Sequence, residues 1–191
     1  MPASKAPTSR RLFVYACVLL VLAFARPAPL LLAIGAALAL GGELLRLWAC
    51  GHLRKNKAVI TSGPYAHVKN PLYLGTFLIL IGFCIAASNL EDRSRFILLA
   101  ALPFFLGIFF VYYLPYKMRV EGDRLRKRFG SEFDVYDQHV PSFVPRLTRW
   151  KDAAPLKWSS ALVMENSEIP TLTWVVFGLG LITLKLFVPF P

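Results

Sequence analysis

From residue 96 to residue 116 the chain runs FILLAALPFFLGIFFVYYLPY without a single charge, and 71–88 is equally uncharged. Such runs constrain the fold more than any other feature. A helix rises 1.5 Å per residue, so about 20 apolar residues cross a hydrocarbon core about 30 Å thick. Three further apolar stretches, 12–25, 29–49 and 169–188, are each bounded by charge or by a Pro or Gly signal. Composition agrees: 56% of the 191 residues are hydrophobic and 17% charged, against about 25% charged in soluble domains. The expectation is an all-α polytopic membrane protein with about five transmembrane helices. Disordered, collagen-like and disulfide-scaffold classes are excluded, as is a separate soluble catalytic domain. Cys17, Cys50 and Cys84 lie within or at the edge of apolar runs and read as small buried thiols.

The stretch 12–25 is the shortest and is followed by Arg26-Pro27-Ala28-Pro29. It reads as a short helix or half of a tight hairpin; lacking a cleavage-site pattern, it does not read as a signal peptide. Basic residues orient the rest, because cytoplasmic loops are enriched in Lys and Arg. With the N-terminus inside, all 22 basic residues except Arg26, Arg93, Arg95 and Lys185 fall on the cytoplasmic side. Any chemistry is expected on that face. The net charge of +11 reads as this asymmetry plus attraction to anionic membrane lipids. No nucleic-acid partner is expected, since Arg124, Arg126, Lys127 and Arg128 have no interleaved aromatic platform.

Two cytoplasmic segments look too ordered for loops. In 51–70, GHLRKNKAVITSGPYAHVKN, Thr61-Ser62-Gly63-Pro64 is a turn, and Asn70 and Pro71 are favoured N-cap and first helical residues. Tyr65, His67 and Tyr73 then gather at a helix entrance whose dipole suits an anion, although an ordinary capped helix with interfacial aromatics fits the same pattern. In 117–129 the fourth apolar run continues as an amphipathic helix, with Met118, Gly122, Leu125 and Phe129 on one face and Lys117 and Glu121 at its border. A solvated Lys117–Glu121 pair is the plain alternative. Val140-Pro141-Ser142-Phe143-Val144-Pro145 can be neither helix nor central strand and reads as a strap. Glu43 and Arg46 share a helix face as an ion pair or a functional intramembrane site, and Glu168 reads as a complement to the last helix dipole. HExxH, CxxC, GxSxG, P-loop and GxGxxG patterns are all absent.

The series Thr61-Ser62-Gly63-Pro64-Tyr65, Lys69-Asn70-Pro71-Leu72-Tyr73, Glu121, Leu125, Phe129-Gly130, Phe133, Tyr136, Val140-Pro141 and Pro145 resembles the isoprenylcysteine carboxyl methyltransferase and phospholipid methyltransferase superfamily of integral membrane enzymes. The resemblance covers about 55–147. It implies S-adenosylmethionine wrapped at the cytoplasmic face by Lys57, Ala58, Val59, Ile60, Tyr65, Asn70, Pro71, Leu72, Tyr73 and Glu121, with Lys117 at the substrate. Asn70 stands where the family usually has His, and Gly122 where it usually has a second Glu.

The function this implies is methyl transfer to a lipid-like or isoprenoid acceptor, with membrane lipids as surroundings. Rival readings are phospholipid N-methylation, an NADPH-dependent membrane reductase of related fold, and a non-catalytic membrane adaptor. The whole of 1–191 is expected to form one membrane domain: an N-terminal hairpin over 1–50, a cofactor-binding core over 51–168 and a last transmembrane helix over 169–191.

Overall fold

A computed structural model describes residues 21–188 apart from 152 and 154. All regular structure among the described residues is helical. Helix α1, Pro29–Cys50, starts with proline at its first turn, where no N–H is needed. It ends against Gly51, where a Cβ would stand 1.9 Å from the Trp158 indole nitrogen; that indole in turn donates to the Leu47 carbonyl at 3.2 Å. Helix α2, Pro71–Ala86, again begins with proline. Helix α3 runs unbroken over Ile97–Phe129, so the apolar run and the basic amphipathic segment are one rod about 50 Å long.

Two stretches of α3, Ile97–Ala101 and Ile108–Tyr113, are wound as π-helix. Each contains the residue four before a proline, Leu99 before Pro103 and Val111 before Pro115. A proline ring clashes with that carbonyl and removes its hydrogen bond, and widening the turn relieves both. Gly130, at φ +54° and ψ −127°, turns the chain from α3 into α4, Ser131–His139, a backbone region closed to residues with a Cβ. The short α5, Ser160–Glu165, and α6, Ile169–Leu184, complete the chain.

Helices α1 and α2 pack closely because glycines line their seam. Side chains added at Gly35, Gly42, Gly75 or Gly82 would meet backbone or Arg46 carbons of the facing helix at 2.3–2.6 Å. Small residues let helices approach where apolar burial gives no advantage over lipid. Ala39, Cys84, Ile97, Val175, Leu179 and Ile182 form the core beside this seam. A second core, Val59, Ala66, Phe133, Tyr136, Val140 and Trp150, ties the 51–70 segment to α4 and the strap.

Helices α1 and α3 are long and apolar enough to cross a membrane. Their outer faces expose Leu30, Leu44, Leu99, Phe104, Val111 and Tyr112. Large apolar side chains exposed along both helices call for lipid around them, and the chain is membrane-associated on these grounds. The expectation of five spans is thereby narrowed. Helices α2 and α6 have 16 residues each, about 24 Å of rise and short of the hydrocarbon core. Most of the stretch 12–25, with Cys17, lies outside the described residues.

Candidate functional site

The strap over 140–150 does what its two prolines suggest. It forms neither helix nor strand and bonds to the 66–70 segment: Lys69 N–H donates to Pro141 O at 2.9 Å, Arg146 N–H to His67 O and Trp150 N–H to Ala66 O, both at 3.0 Å. The Lys69 ammonium pairs with Asp137, which also accepts from Arg126 at 3.2 Å. Together α4, the strap and the 51–70 segment make three walls, and the 117–125 turns of α3 make the fourth. Between them lies a cleft of about 420 Å³.

Ten of the residues singled out from sequence line this cleft: Ala58, Val59, Ile60, Tyr65, Asn70, Pro71, Leu72, Tyr73, Lys117 and Glu121. Lys57 is not among them. Its side chain is exposed and paired with Glu165 at 3.2 Å, just beyond the turn through Asn56, at φ +60°. Asn70 holds the N-cap position of α2 without capping it; its amide donates to Ser142 O at 2.8 Å and anchors the strap. The plain alternative of a Lys117–Glu121 pair is not formed. Glu121 accepts from the Tyr73 hydroxyl at 2.8 Å and lies 3.4 Å from the Arg124 guanidinium, and Lys117 makes no ion pair among the described residues. Gly122 also faces the cleft, where a Cβ would meet nothing within 4 Å.

Arg54, Lys55, Lys69, Phe133, Tyr136 and Asp137 also line the cleft and were not singled out as site residues. Phe133, Tyr136 and Lys69 carried a visible signal, since they stand in the motif series of the resemblance; Arg54, Lys55 and Asp137 carried none.

Tyr65 is the most informative side chain in the cleft. It is 7% exposed, and its hydroxyl has no hydrogen-bond partner. Burial holds the hydroxyl well above its ordinary pKa, with Cys50, Tyr136 and Glu121 adding to the shift, so it stays a donor. The neighbouring Tyr136 hydroxyl is satisfied by the Tyr65 carbonyl at 2.8 Å. A buried donor left unmet costs about 1–3 kcal/mol. Below the turn, His52 Nδ1 lies 3.0 Å from the Ser62 hydroxyl, and burial pushes the imidazole pKa down. Gly63, at φ +57°, allows this contact, since a Cβ there would be 2.4 Å from the His52 ring.

A second polar group lies behind the cleft wall. Arg46 Nε donates to Glu168 Oε1 at 2.6 Å, and its Nη1 to Thr76 Oγ1 at 2.7 Å and to the cleft residue Leu72's carbonyl at 3.2 Å. The Cys50 thiol donates to Glu168 Oε2 at 3.3 Å. The Glu43–Arg46 ion pair read from spacing is only a distant one, at 3.7 Å. Glu168, read from sequence as a helix-dipole complement, is buried at the N-cap of α6 and carries the stronger bond.

Two relatives are metal resistance proteins. Over 156 residues, 81% of this chain and 66% of the other, it is 30% identical to the cobalt-zinc-cadmium resistance protein CzcN of Cupriavidus metallidurans. Over 108 residues, 56% of this chain and 46% of the other, it is 32% identical to the nickel-cobalt-cadmium resistance protein NccN of Alcaligenes xylosoxydans xylosoxydans. The chain thus spans about half the length of one relative and about two thirds of the other. No family model and no solved structure matches it. These relatives correct the functional expectation. Methyl transfer from S-adenosylmethionine to an isoprenoid, lipid-like or phospholipid acceptor is not upheld, since both relatives are named for metal resistance. The residues behind that expectation do converge on one cleft, but a shared cleft does not give the reaction.

Proposed function

We propose that this protein acts in resistance to divalent transition-metal cations from within a membrane, and that its working site is the cleft, which takes a small organic ligand. The observation that carries the resistance reading is the 30% identity to the cobalt-zinc-cadmium resistance protein along 81% of this chain. For the cleft, the support is chemical. Glu121 offers a carboxylate to a cationic group, the Tyr65 hydroxyl offers a donor, and Phe133 and Tyr136 provide aromatic wall for a flat or apolar portion. The cleft residues themselves are a poor metal shell. Lys55, Lys69, Lys117 and Arg124 crowd the carboxylates of Glu121 and Asp137, and cationic neighbours repel a free divalent ion.

In this reading the chain is multi-pass. Helices α1 and α3 cross the bilayer, and α2 and α6 reach across by locally thinning it or by snorkelling of flanking side chains. The basic second half of α3 lies at the cytoplasmic surface, next to anionic headgroups, which places the cleft there.

The test is complementation. In a strain lacking the protein and grown in cobalt, zinc, nickel or cadmium, wild type restores growth, whereas Glu121→Gln and Tyr65→Phe restore it poorly at equal membrane abundance. Full restoration by both variants would refute the cleft as the working site.

A further inference from the structure

The strap reaches past the cleft toward the bilayer. Within 140–150, Ser142 lines the cleft, and the next residue, Phe143, does not. Its ring packs against Phe77 of α2 at 5.5 Å and against Phe109 and Phe110 of α3 at 6.0 and 5.5 Å between centroids. The two helices agree on the depth of that contact. Phe77 lies six residues inside the start of α2 at Pro71, and Phe110 six residues short of Tyr116, where the uncharged run of α3 ends. Either count puts Phe143 about 9 Å into the apolar layer. Val144 is 75% exposed and Leu147 99%, and neither lines the cleft. On α3, Phe110 and Val111 are exposed as well, so the lipid-facing side of that helix continues onto the strap. Irregular backbone at membrane depth needs its polar groups answered. Here Pro141 and Pro145 have no N–H to answer, Arg146 N–H is given to His67 O, and the Pro141 and Ser142 carbonyls accept from Lys69 N–H and the Asn70 amide. From 146 to 164 the chain then carries Arg146, Arg149, Lys151 and Lys157 against Asp152 alone, a balance suited to anionic headgroups.

We propose that the tip of the strap is inserted in the host lipid leaflet, with Phe143 and Val144 among the upper acyl carbons and Leu147 at the headgroup boundary. Lipid is the partner of this surface. A protein covering Val144 would have to reach it through the lipid around α3 at the same depth, and the basic residues that follow meet headgroups without any such partner. The contact bears on the cleft. Ser142, in its wall, is tied to Asn70 through its carbonyl and adjoins the lipid-held Phe143, so the bilayer sets the position of one wall.

The inference rests on the bilayer crossing of α3 proposed above, and depth-resolved fluorescence quenching separates the two. The full-length chain carries Cys17→Ser, Cys50 and Cys84 being buried, and is placed one copy per nanodisc in a mixture of zwitterionic and anionic phospholipids. Val144→Cys, Leu147→Cys, Val111→Cys and Glu132→Cys are each labelled with bimane. Quenching is compared between aqueous iodide and phospholipids spin-labelled on the headgroup or high on the acyl chain. Val111, exposed on the apolar run of α3, is the lipid reference, and Glu132, exposed beyond the end of α3, is the water reference. The label at 144 is expected to behave as at 111: quenched best from the acyl chain, and several-fold less by iodide than at 132. At 147 the headgroup spin label is expected to quench best. Iodide quenching at 144 equal to that at 132, with 111 quenched by lipid, overturns the insertion and leaves the crossing standing. Protection at 144 from iodide and from both lipids shows a protein cover and overturns it too. Iodide quenching at 111 as strong as at 132 refutes the crossing itself. Both strap positions are exposed, and circular dichroism identifies the variants that fold. If Val144→Cys does not, Leu147→Cys decides alone, with headgroup quenching in favour and iodide quenching equal to that at 132 against.

Discussion

Replacing Gly82 with alanine tests the packing that positions both polar sites. The added Cβ would stand 2.5 Å from the Ala39 nitrogen and 2.6 Å from the Gly35 oxygen, whereas ordinary contact begins at 3.4 Å. Both opposing atoms are backbone, so no side chain can turn aside, and α1 and α2 must separate by about 1 Å to restore van der Waals distance. Overpacking costs about 1–3 kcal/mol, and an unyielding contact belongs at the upper end. Alanine returns about 1 kcal/mol through helix propensity, leaving a net loss of about 2 kcal/mol, or about 4–8 °C in Tm for a chain of this size. Gly41→Ala on the same helix is the control, because nothing lies within 4 Å of its Cβ; it should be neutral or stabilising. Thermal unfolding in detergent, followed by circular dichroism, separates the two. Equal Tm values for Gly82→Ala and Gly41→Ala would refute the close seam.

Other consequences follow from single side chains. Tyr65→Phe removes a buried donor that has no partner, so the ligand-free variant should be more stable than wild type by about 1 kcal/mol, measured by denaturant titration; a loss of stability would mean the hydroxyl is satisfied within the fold. His52 has a folded pKa below its ordinary 6.5, so as pH falls through that value the unfolded chain takes up a proton that the folded one resists. Stability present at neutral pH therefore declines on acidification until the folded pKa is passed. Tm should drop from neutral to mildly acidic pH in wild type and less in His52→Gln; parallel curves would show that His52 does not contribute. Asn70→Ala should loosen the strap by removing the bond to Ser142, raising proteolysis within 140–150 while leaving α2 intact, because the Asn70 side chain does not cap that helix.

What was legible in the chain was local. Proline at the first turn marked the starts of α1 and α2, two prolines kept 140–145 out of helix and strand, and 100° periodicity carried α3 past the membrane run to Phe129. The order of motifs along 58–121 anticipated a shared wall, and ten residues meet there. What escaped depended on partners far away in sequence. Glu168 and Arg46 are 122 positions apart, Lys57 and Glu165 are 108 apart, and Asn70 and Ser142 are 72 apart. Spacing along one helix paired Arg46 with Glu43 and gave Asn70 to its own helix, when tertiary contacts offered each a better partner. The number of spans was less legible, because an apolar run need not be helical throughout. Helix α2 stops at Ala86, two residues short of its run. Function was furthest from view: motif order located a cleft, and the relatives' names replaced the reaction inferred from it.

The most direct measurement is the dose of cobalt, nickel, zinc or cadmium that halves the growth of a strain lacking this protein, set against its parent. The account predicts a lower dose for at least one of these ions, restored by the intact gene, with no change for magnesium or for osmotically matched sodium. Superimposable curves for all four metals would contradict it.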